Sequence, residues 1–136
     1  MANDLGFEVT LAQPYEQAIE QVIAALKTEG FGILTRIDVR ATMQEKLGAD
    51  FRPYIILGAC NPPLAHRALT LAPELGLMLP CNVTVEAASE FSSLVRLANP
   101  GAMVMAANQP DDAGLQELAA QATAKMERVV TVLQNN

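Results

Sequence analysis

The sequence predicts an α+β domain in which helices back a mainly antiparallel sheet of about five strands. Three observations support this fold class: short segments that alternate apolar and polar residues, longer segments with the apolar spacing of one helical face, and hairpin-type spacing of two late segments. No glycine-rich nucleotide-binding motif opens a helix, which argues against a doubly wound fold. The predicted order is strand, helix, strand, short helix, strand, helix, strand, strand, helix.

The first part of the chain predicts two strands and two helices. Residues 5–11, LGFEVTL, and residues 31–39, FGILTRIDV, alternate apolar and polar side chains as half-buried strands do. Between them, Pro14 suits the first position of a helix, and Gly30 is a typical residue just past a helix end. Residues 40–48, RATMQEKLG, are helix-forming and end in glycine, which predicts a short helix.

The middle of the chain predicts a buried strand followed by a capped helix. Residues 54–60, YIILGAC, are continuously apolar, as in a strand that is covered on both faces. Asn61 can cap the helix predicted over residues 62–72, since two prolines follow it at positions that need no amide donor. Three further elements are a turn over residues 73–80, a strand over 81–87 and a strand over 92–98, the strands joined by a hairpin.

The end of the chain predicts a break and a long amphipathic helix. Asn99, Pro100 and Gly101 interrupt the strand pattern. From Asp111 or Asp112, which suit a helix start, apolar residues recur at the spacing of one helical face. No repeat, low-complexity tract or linker divides the chain, so we expect residues 1–136 to form a single domain.

Composition and charge exclude several classes of partner. The chain of 136 residues is 51% hydrophobic with a formal net charge of -6, and its basic residues are scattered, so we expect no nucleic-acid partner. Its apolar runs are far shorter than the roughly 20 residues that cross a bilayer, so no membrane association is expected. The first ten residues lack the features of a secretory signal, which predicts a cytoplasmic location.

The segment from residue 56 to residue 83 contains both cysteines and the only histidine of the chain. The free amides at the start of the helix after Asn61 would favour an anion. A helical wheel places His66 and Arg67 together on the polar side of that helix. The structural interpretation is that small residues and prolines simply form a tight corner. The candidate ligand-binding residues are Cys60, Asn61, His66, Arg67 and Cys81.

The two cysteines leave alternatives open. Cys60 precedes a helix N-terminus, where a thiolate is favoured, and Cys81 could lie beside it as a resolving thiol, so these two are the candidate catalytic residues of a redox protein. Both could equally be small buried hydrophobes. Cys60, His66 and Cys81 have the residue types of a zinc site, but their spacing is unusual and they supply only three ligands, so we expect no metal.

Residues 29–85 carry a family resemblance in the ordered pieces GFG, IDV, LGACNP and GLMLPCNV. They resemble the domain of unknown function 302, and the likeness extends from about Leu5 to about Met105. The resemblance implies a sheet backed by helices, similar to the TATA-binding-protein-like architecture, often as a dimer, with no established activity and no implied DNA binding. Arg36 departs from the acidic residue that relatives often have before IDV.

The sequence therefore favours a non-enzymatic domain, acting as a homodimer, that binds a small anionic or apolar ligand or serves a regulatory role. One alternative is a thiol-dependent redox enzyme or sensor that uses Cys60 and Cys81. Another alternative is a purely structural dimer module. No cofactor can be named from the residues.

Overall fold

The computed structural model describes residues 5–106 and 112–135. Its sheet is built from β1 (Gly6–Leu11), β2 (Gly32–Asp38), β3 (Tyr54–Cys60), β4 (Cys81–Ser89) and β5 (Ser92–Ala98). The five strands lie in the order β1-β5-β4-β3-β2, and every neighbouring pair is antiparallel. The predicted fold class is confirmed: the protein is α+β, with a five-stranded antiparallel sheet backed by helices.

The described helices are α1 (Tyr15–Thr28), α2 (Val39–Leu47), α3 (Pro62–Leu71), α4 (Pro100–Ala106) and α5 (Ala113–Gln134), with a 3₁₀ helix over Pro73–Met78. The predicted order of elements is confirmed, and α4 is an additional helix. Asn99 ends the strand as expected, but Pro100 then occupies a helical first position. Within the described residues, none of these helices has the length and apolarity that crossing a bilayer requires.

Side chains at the helix ends explain most of the helix boundaries. Asp38 caps α2 by accepting the Ala41 amide at 2.9 Å, and Gly48 ends that helix in the left-handed conformation with φ 62°. Asp112 caps α5 by accepting the Leu115 amide. Asp111, the other predicted start of this helix, lies outside the described residues. Helix α1 begins one residue after Pro14, which is at the N-cap rather than at the first helical position.

One face of the sheet packs against α1 and the second half of α5. This sheet core contains alternate residues of the four strands β1, β5, β4 and β3, because successive strand residues point to opposite faces. Both helices contribute apolar residues at the spacing of one helical face. Among its most deeply buried side chains are Val22, Leu26, Leu57, Val83, Val85, Val95, Met126 and Val129.

A second apolar cluster lies beside the sheet core and includes no strand residue among its buried members. It joins α3, the 3₁₀ helix, α4 and the first half of α5. Helix α5 therefore contributes to both clusters, with different halves. The buried members of the second cluster are Leu64, Ala68, Ala72, Leu75, Val104, Leu115 and Leu118.

Edge strand β2 departs from the predicted alternation. The expected single row of apolar residues along 31–39 is wrong, because the register of β2 on β3 shifts between Ile33 and Thr35. Leu34 lies in this bulge, and its side chain is 66% exposed. A bulge adds one residue to a strand and so reverses the side to which the following residues point. Phe31 before the bulge is buried, whereas Ile37 after it is exposed.

Gly58 in β3 occupies a crowded position. A Cβ atom there would overlap Thr35 Oγ1 on β2 and would lie 2.7 Å from Pro80 Cγ. At Gly32, in contrast, no heavy atom of a described residue other than its chain neighbours lies within 4 Å of the Cβ position. The absence of a side chain at Gly58 therefore lets the segment before β4 pack directly on β3.

We expect Gly58→Ala to lower the free energy of unfolding by about 2 kcal/mol, the usual effect of overpacking a close contact. Gly32→Ala is the matched control, and it should leave stability unchanged or raise it by up to about 1 kcal/mol. Urea denaturation of both variants measures the difference. Equal stability of the two variants would contradict the crowding described for Gly58.

Candidate functional site

An apolar cavity of about 350 Å³ lies between the sheet core and the second cluster. Residues at the carboxyl end of β3 and at the start of β4 form one wall, and α3, the 3₁₀ helix, α4 and α5 form the others. None of the described residues that line it carries a charge. The lining residues are Phe31, Leu34, Ala59, Cys60, Asn61, Leu64, Ala65, Ala68, Leu69, Leu75, Gly76, Leu79, Pro80, Cys81, Pro100, Met103, Val104, Leu118, Ala119 and Ala122.

Both cysteines line this cavity. Cys81 pairs with Ala59 across β4 and β3, so Cys60 is adjacent in sequence to the strand partner of Cys81. The two thiols are free, with Cys60 half-buried and Cys81 buried. Burial, and to a smaller extent the nearby Cys60, raises the pKa of Cys81 from 9.0 to about 11. At neutral pH, the Cys81 side chain is therefore an uncharged thiol.

Asn61 connects three elements at the corner of the site. Its side-chain oxygen accepts the Leu64 amide at 3.4 Å, which confirms the predicted cap of α3. Its side-chain nitrogen donates to the Glu29 carbonyl at 3.0 Å, at the end of α1. The residue is only 8% exposed, so both hydrogen bonds are sheltered from water. Asn61 thereby fixes the end of β3, the start of α3 and the end of α1 relative to one another.

The expected anion pocket at the start of α3 lacks its donors. Pro62 and Pro63 have no amide hydrogen, and the Leu64 amide is bonded to the Asn61 side chain. The Ala65 amide donates to the Asn61 carbonyl at 2.9 Å. The expectation of free amides was wrong because the two prolines and the cap together account for every position in the first turn.

The structure separates His66 and Arg67 from the cysteines. His66 is exposed, as the helical wheel predicted, and does not line the apolar cavity. The Arg67 guanidinium donates to Gln121 Oε1 at 2.8 Å and thus links α3 to α5. Cys60, His66 and Cys81 do not form the alternative zinc site, since His66 lies on the outer side of α3. Among the described residues, no three His, Cys, Asp or Glu side chains are grouped to hold a metal ion.

Most of the cavity wall comes from residues that the sequence did not single out. Met103, Val104 and Ala122 belong to α4 and α5, far from the cysteines in sequence, whereas Leu75 belongs to the 3₁₀ helix that shortly precedes Cys81. One local feature of the sequence does indicate a cavity: Ala119 and Ala122 lie beside Leu118 on the apolar side of the predicted helix. Small residues on the inner side of an amphipathic helix leave space next to their neighbours.

A second cavity, the open-face cavity, lies on the side of the sheet that α1 and α5 leave uncovered. It has a volume of about 480 Å³ and a mixed polar and apolar wall. Asn82 and Thr84 belong to this wall, since they alternate with the core residues of β4. The complete lining is Leu5, Gly6, Phe7, Glu8, Tyr54, Met78, Pro80, Asn82, Thr84, Arg96, Leu97, Ala98, Asn99, Ala102 and Met103.

A network of ion pairs crosses the open face of the sheet. Arg96 contacts Glu8 at 3.1 Å and Glu86 at 2.6 Å, and Glu86 also contacts Arg52 at 3.1 Å. A hydrogen bond to Glu86, together with the charges of both carboxylates, raises the pKa of Arg96 despite partial desolvation. Two positive and two negative side chains thus balance one another beside the open-face cavity.

Comparison with known proteins identifies related sequences and structures. The family described as Domain of unknown function DUF302 matches residues 7–133. The crystal structure of an uncharacterized conserved DUF302 protein from Bacillus stearothermophilus is similar to this chain, with a TM-score of 0.77 and 31% sequence identity over 95% of each chain. No curated protein matches the sequence significantly. These findings do not bear on the TATA-binding-protein-like architecture, which stays a prediction.

We expect Asn61→Ala to lower the free energy of unfolding by about 2–3 kcal/mol, because it removes a helix cap and leaves the Glu29 carbonyl without its side-chain donor. Asp38→Ala is the matched control: it removes only the exposed cap of α2 and should cost about 1 kcal/mol. Urea denaturation compares the two variants. If Asn61→Ala were no more damaging than Asp38→Ala, the bond to Glu29 would not contribute to stability.

We expect the free energy of unfolding to fall as the pH rises from 9 to about 11, because of the ionisation of the Cys81 thiol. The unfolded thiol ionises from its ordinary pKa of 9.0, whereas the folded thiol ionises only near pH 11. The stabilisation from Cys81 is complete below pH 9, and roughly 2–3 kcal/mol is lost as the pH rises through this window.

Urea denaturation at pH 8 and pH 10.5, with a reductant present, measures this loss. In Cys81→Ala, the free energy of unfolding should fall much less between pH 8 and pH 10.5 than in the wild type. In Cys60→Ala, the control, it should fall about as much as in the wild type. An identical pH dependence in wild type and Cys81→Ala would show that Cys81 is not the group responsible.

Proposed function

Because the chain belongs to the domain of unknown function DUF302 family, whose name assigns no activity, we propose its function from the apolar cavity. The protein binds a small, uncharged, apolar ligand there and does not catalyse its conversion. The observation that carries the proposal is a cavity of about 350 Å³ whose wall, as far as the structure describes the chain, contains no charged side chain. Ligand-binding cavities in proteins commonly have volumes of roughly 300–1,000 Å³ and apolar walls with few polar groups.

The wall chemistry favours an uncharged ligand over the anion that the sequence also allowed. A charge moved into an apolar cavity without a partner loses its hydration and gains nothing in return. The Asn61 side-chain amide already makes hydrogen bonds with the Glu29 carbonyl and the Leu64 backbone amide, and the Cys81 thiol is uncharged at neutral pH. The cavity volume corresponds to roughly a dozen water-sized groups, which suits a molecule about as large as a medium-length alcohol.

A thiol-dependent redox role is the second candidate function. Its support is that Cys60 and Cys81 line the same cavity from neighbouring positions at the ends of β3 and β4. The raised pKa of Cys81 opposes this role, since a protonated thiol is a poor resolving nucleophile. Peroxide treatment followed by mass spectrometry tests it: formation of a Cys60–Cys81 disulfide at neutral pH would favour the redox candidate over simple binding.

The homodimer is also part of the proposal. Its support on the molecular surface is that large apolar side chains are exposed, among them Leu47 of α2 at 73% and Leu77 of the 3₁₀ helix at 89%. A second copy would remove such side chains from water. Analytical ultracentrifugation at micromolar concentration tests it, and a monomer under these conditions would remove the dimer from the proposal.

We expect N-phenyl-1-naphthylamine, an uncharged fluorescent probe, to bind the wild-type protein and to be displaced by 1-octanol. Octanoate should bind with at least about tenfold lower affinity than 1-octanol, because its carboxylate has no charged partner in the cavity. Ala122→Phe places a ring into the cavity and should weaken 1-octanol at least about tenfold. Fluorescence titration measures all three effects.

Ala120→Phe is the matched control, since Ala120 is an exposed residue of the same helix outside the cavity wall. It should bind the probe and 1-octanol like the wild type. If the wild type bound neither molecule, or if both variants bound 1-octanol equally, the binding proposal would fail. The structural dimer module would then be the better interpretation.

A further inference from the structure

We propose that the apolar cavity and the open-face cavity are two parts of one binding site for an amphiphile, a molecule with an apolar chain and an uncharged, hydroxyl-bearing head group. This inference rests on the proposed function and extends it, because it assigns a chemical class to the ligand. The chain occupies the apolar cavity, and the head group occupies the open-face cavity.

The two cavities have a common wall. Pro80 and Met103 line both of them, whereas the other residues of each wall differ. Methionine is unbranched and has three rotatable bonds, so its side chain adapts to neighbours of different shape. Pro80 is fixed by its packing against Gly58. Rotation of the Met103 side chain therefore provides a route between the cavities without a change in the backbone.

Thr84, a residue of the open-face cavity wall, carries a polar atom that lacks a partner. Thr84 Oγ1 is buried and, among the described residues, is the one buried side-chain oxygen or nitrogen without a hydrogen bond. Leaving such a group without a partner is unfavourable, and native proteins rarely do so without a reason. A hydroxyl can both donate and accept a hydrogen bond, so it complements the hydroxyl of a head group.

The charges around this cavity favour a head group without charge. Arg96, the one basic residue among the described residues of the wall, is paired with both Glu8 and Glu86. A carboxylate or phosphate head would have to compete with two carboxylates that are already in place. An ammonium head would meet two carboxylates whose charges the two arginines offset. A hydroxyl-bearing head group avoids both conflicts and can reach Thr84 and the Asn82 amide.

Displacement of N-phenyl-1-naphthylamine by 1-octanol and by 1-monooctanoylglycerol tests this inference. The two ligands have chains of equal length and differ in the head group. We expect wild type to bind 1-monooctanoylglycerol about threefold to tenfold more tightly than 1-octanol. Thr84→Val, which keeps the shape but removes the hydroxyl, should abolish most of this preference and leave 1-octanol binding unchanged.

Two further variants complete the test. Thr10→Val is the matched control, because Thr10 is an exposed strand residue outside both cavity walls, and it should keep the wild-type preference. Ala102→Phe fills the open-face cavity alone and should weaken 1-monooctanoylglycerol without weakening 1-octanol.

The inference and the proposed function fail in different ways. If 1-octanol displaces the probe from the wild type and 1-monooctanoylglycerol binds no more tightly than 1-octanol, the two-part site is wrong, but the proposed apolar binding is still supported. If Thr84→Val changed the affinities for both ligands by the same factor, this result would also overturn the inference. If neither ligand displaces the probe, and the probe itself does not bind, the proposed function fails and the inference fails with it.

Discussion

The pair of hydrogen bonds made by the Asn61 side chain is the constraint on which the arrangement of the protein depends. One bond begins α3, and the other ties that beginning to the end of α1, which packs on the sheet. The side chain is buried, so neither bond can be replaced by water at low cost. The direction in which the chain leaves β3 is thereby set, and with it the position of the start of α3 relative to the end of α1.

This arrangement produces two apolar clusters that share a helix. The second half of α5 completes the sheet core, and its first half completes the second cluster. Where the clusters meet, α5 presents Ala119 and Ala122 rather than larger residues, and the ends of β3 and β4 present two cysteines. Small side chains on both sides leave the apolar cavity between the clusters. The cavity is thus a product of packing between distant segments and not of any single motif.

The sequence predicted the local elements well because their signals are local. The bounds of β3 and β5 agree with the prediction, since a continuous apolar run and a short strand segment that follows a hairpin connection are both recognisable within a few residues. The cap at Asn61 follows from residue types within one turn. Helix α4 was missed because Asn99, Pro100 and Gly101 favour a break as well as a helix start, and the bulge at Leu34 has no sequence signal of its own.

The candidate site could be predicted only in part. Cys60, Asn61 and Cys81 do lie together, since β3 and β4 are neighbours in the sheet. His66 and Arg67 are near Cys60 in sequence but lie outside the cavity, because they are on the other side of α3. The remaining wall depends on contacts between residues separated by tens of positions, which no pattern in a single sequence specifies.

The bulge in β2 also affects how the molecule behaves in a crowded solution. A regular edge strand offers a continuous row of backbone donors and acceptors, to which strands of other molecules can add until fibrils form. In β2 the bulge interrupts that row near its middle, and Arg36 and Asp38 place charges along the rest of it. The irregularity at Leu34, a residue of the apolar cavity wall, therefore protects the exposed edge of the sheet against aggregation.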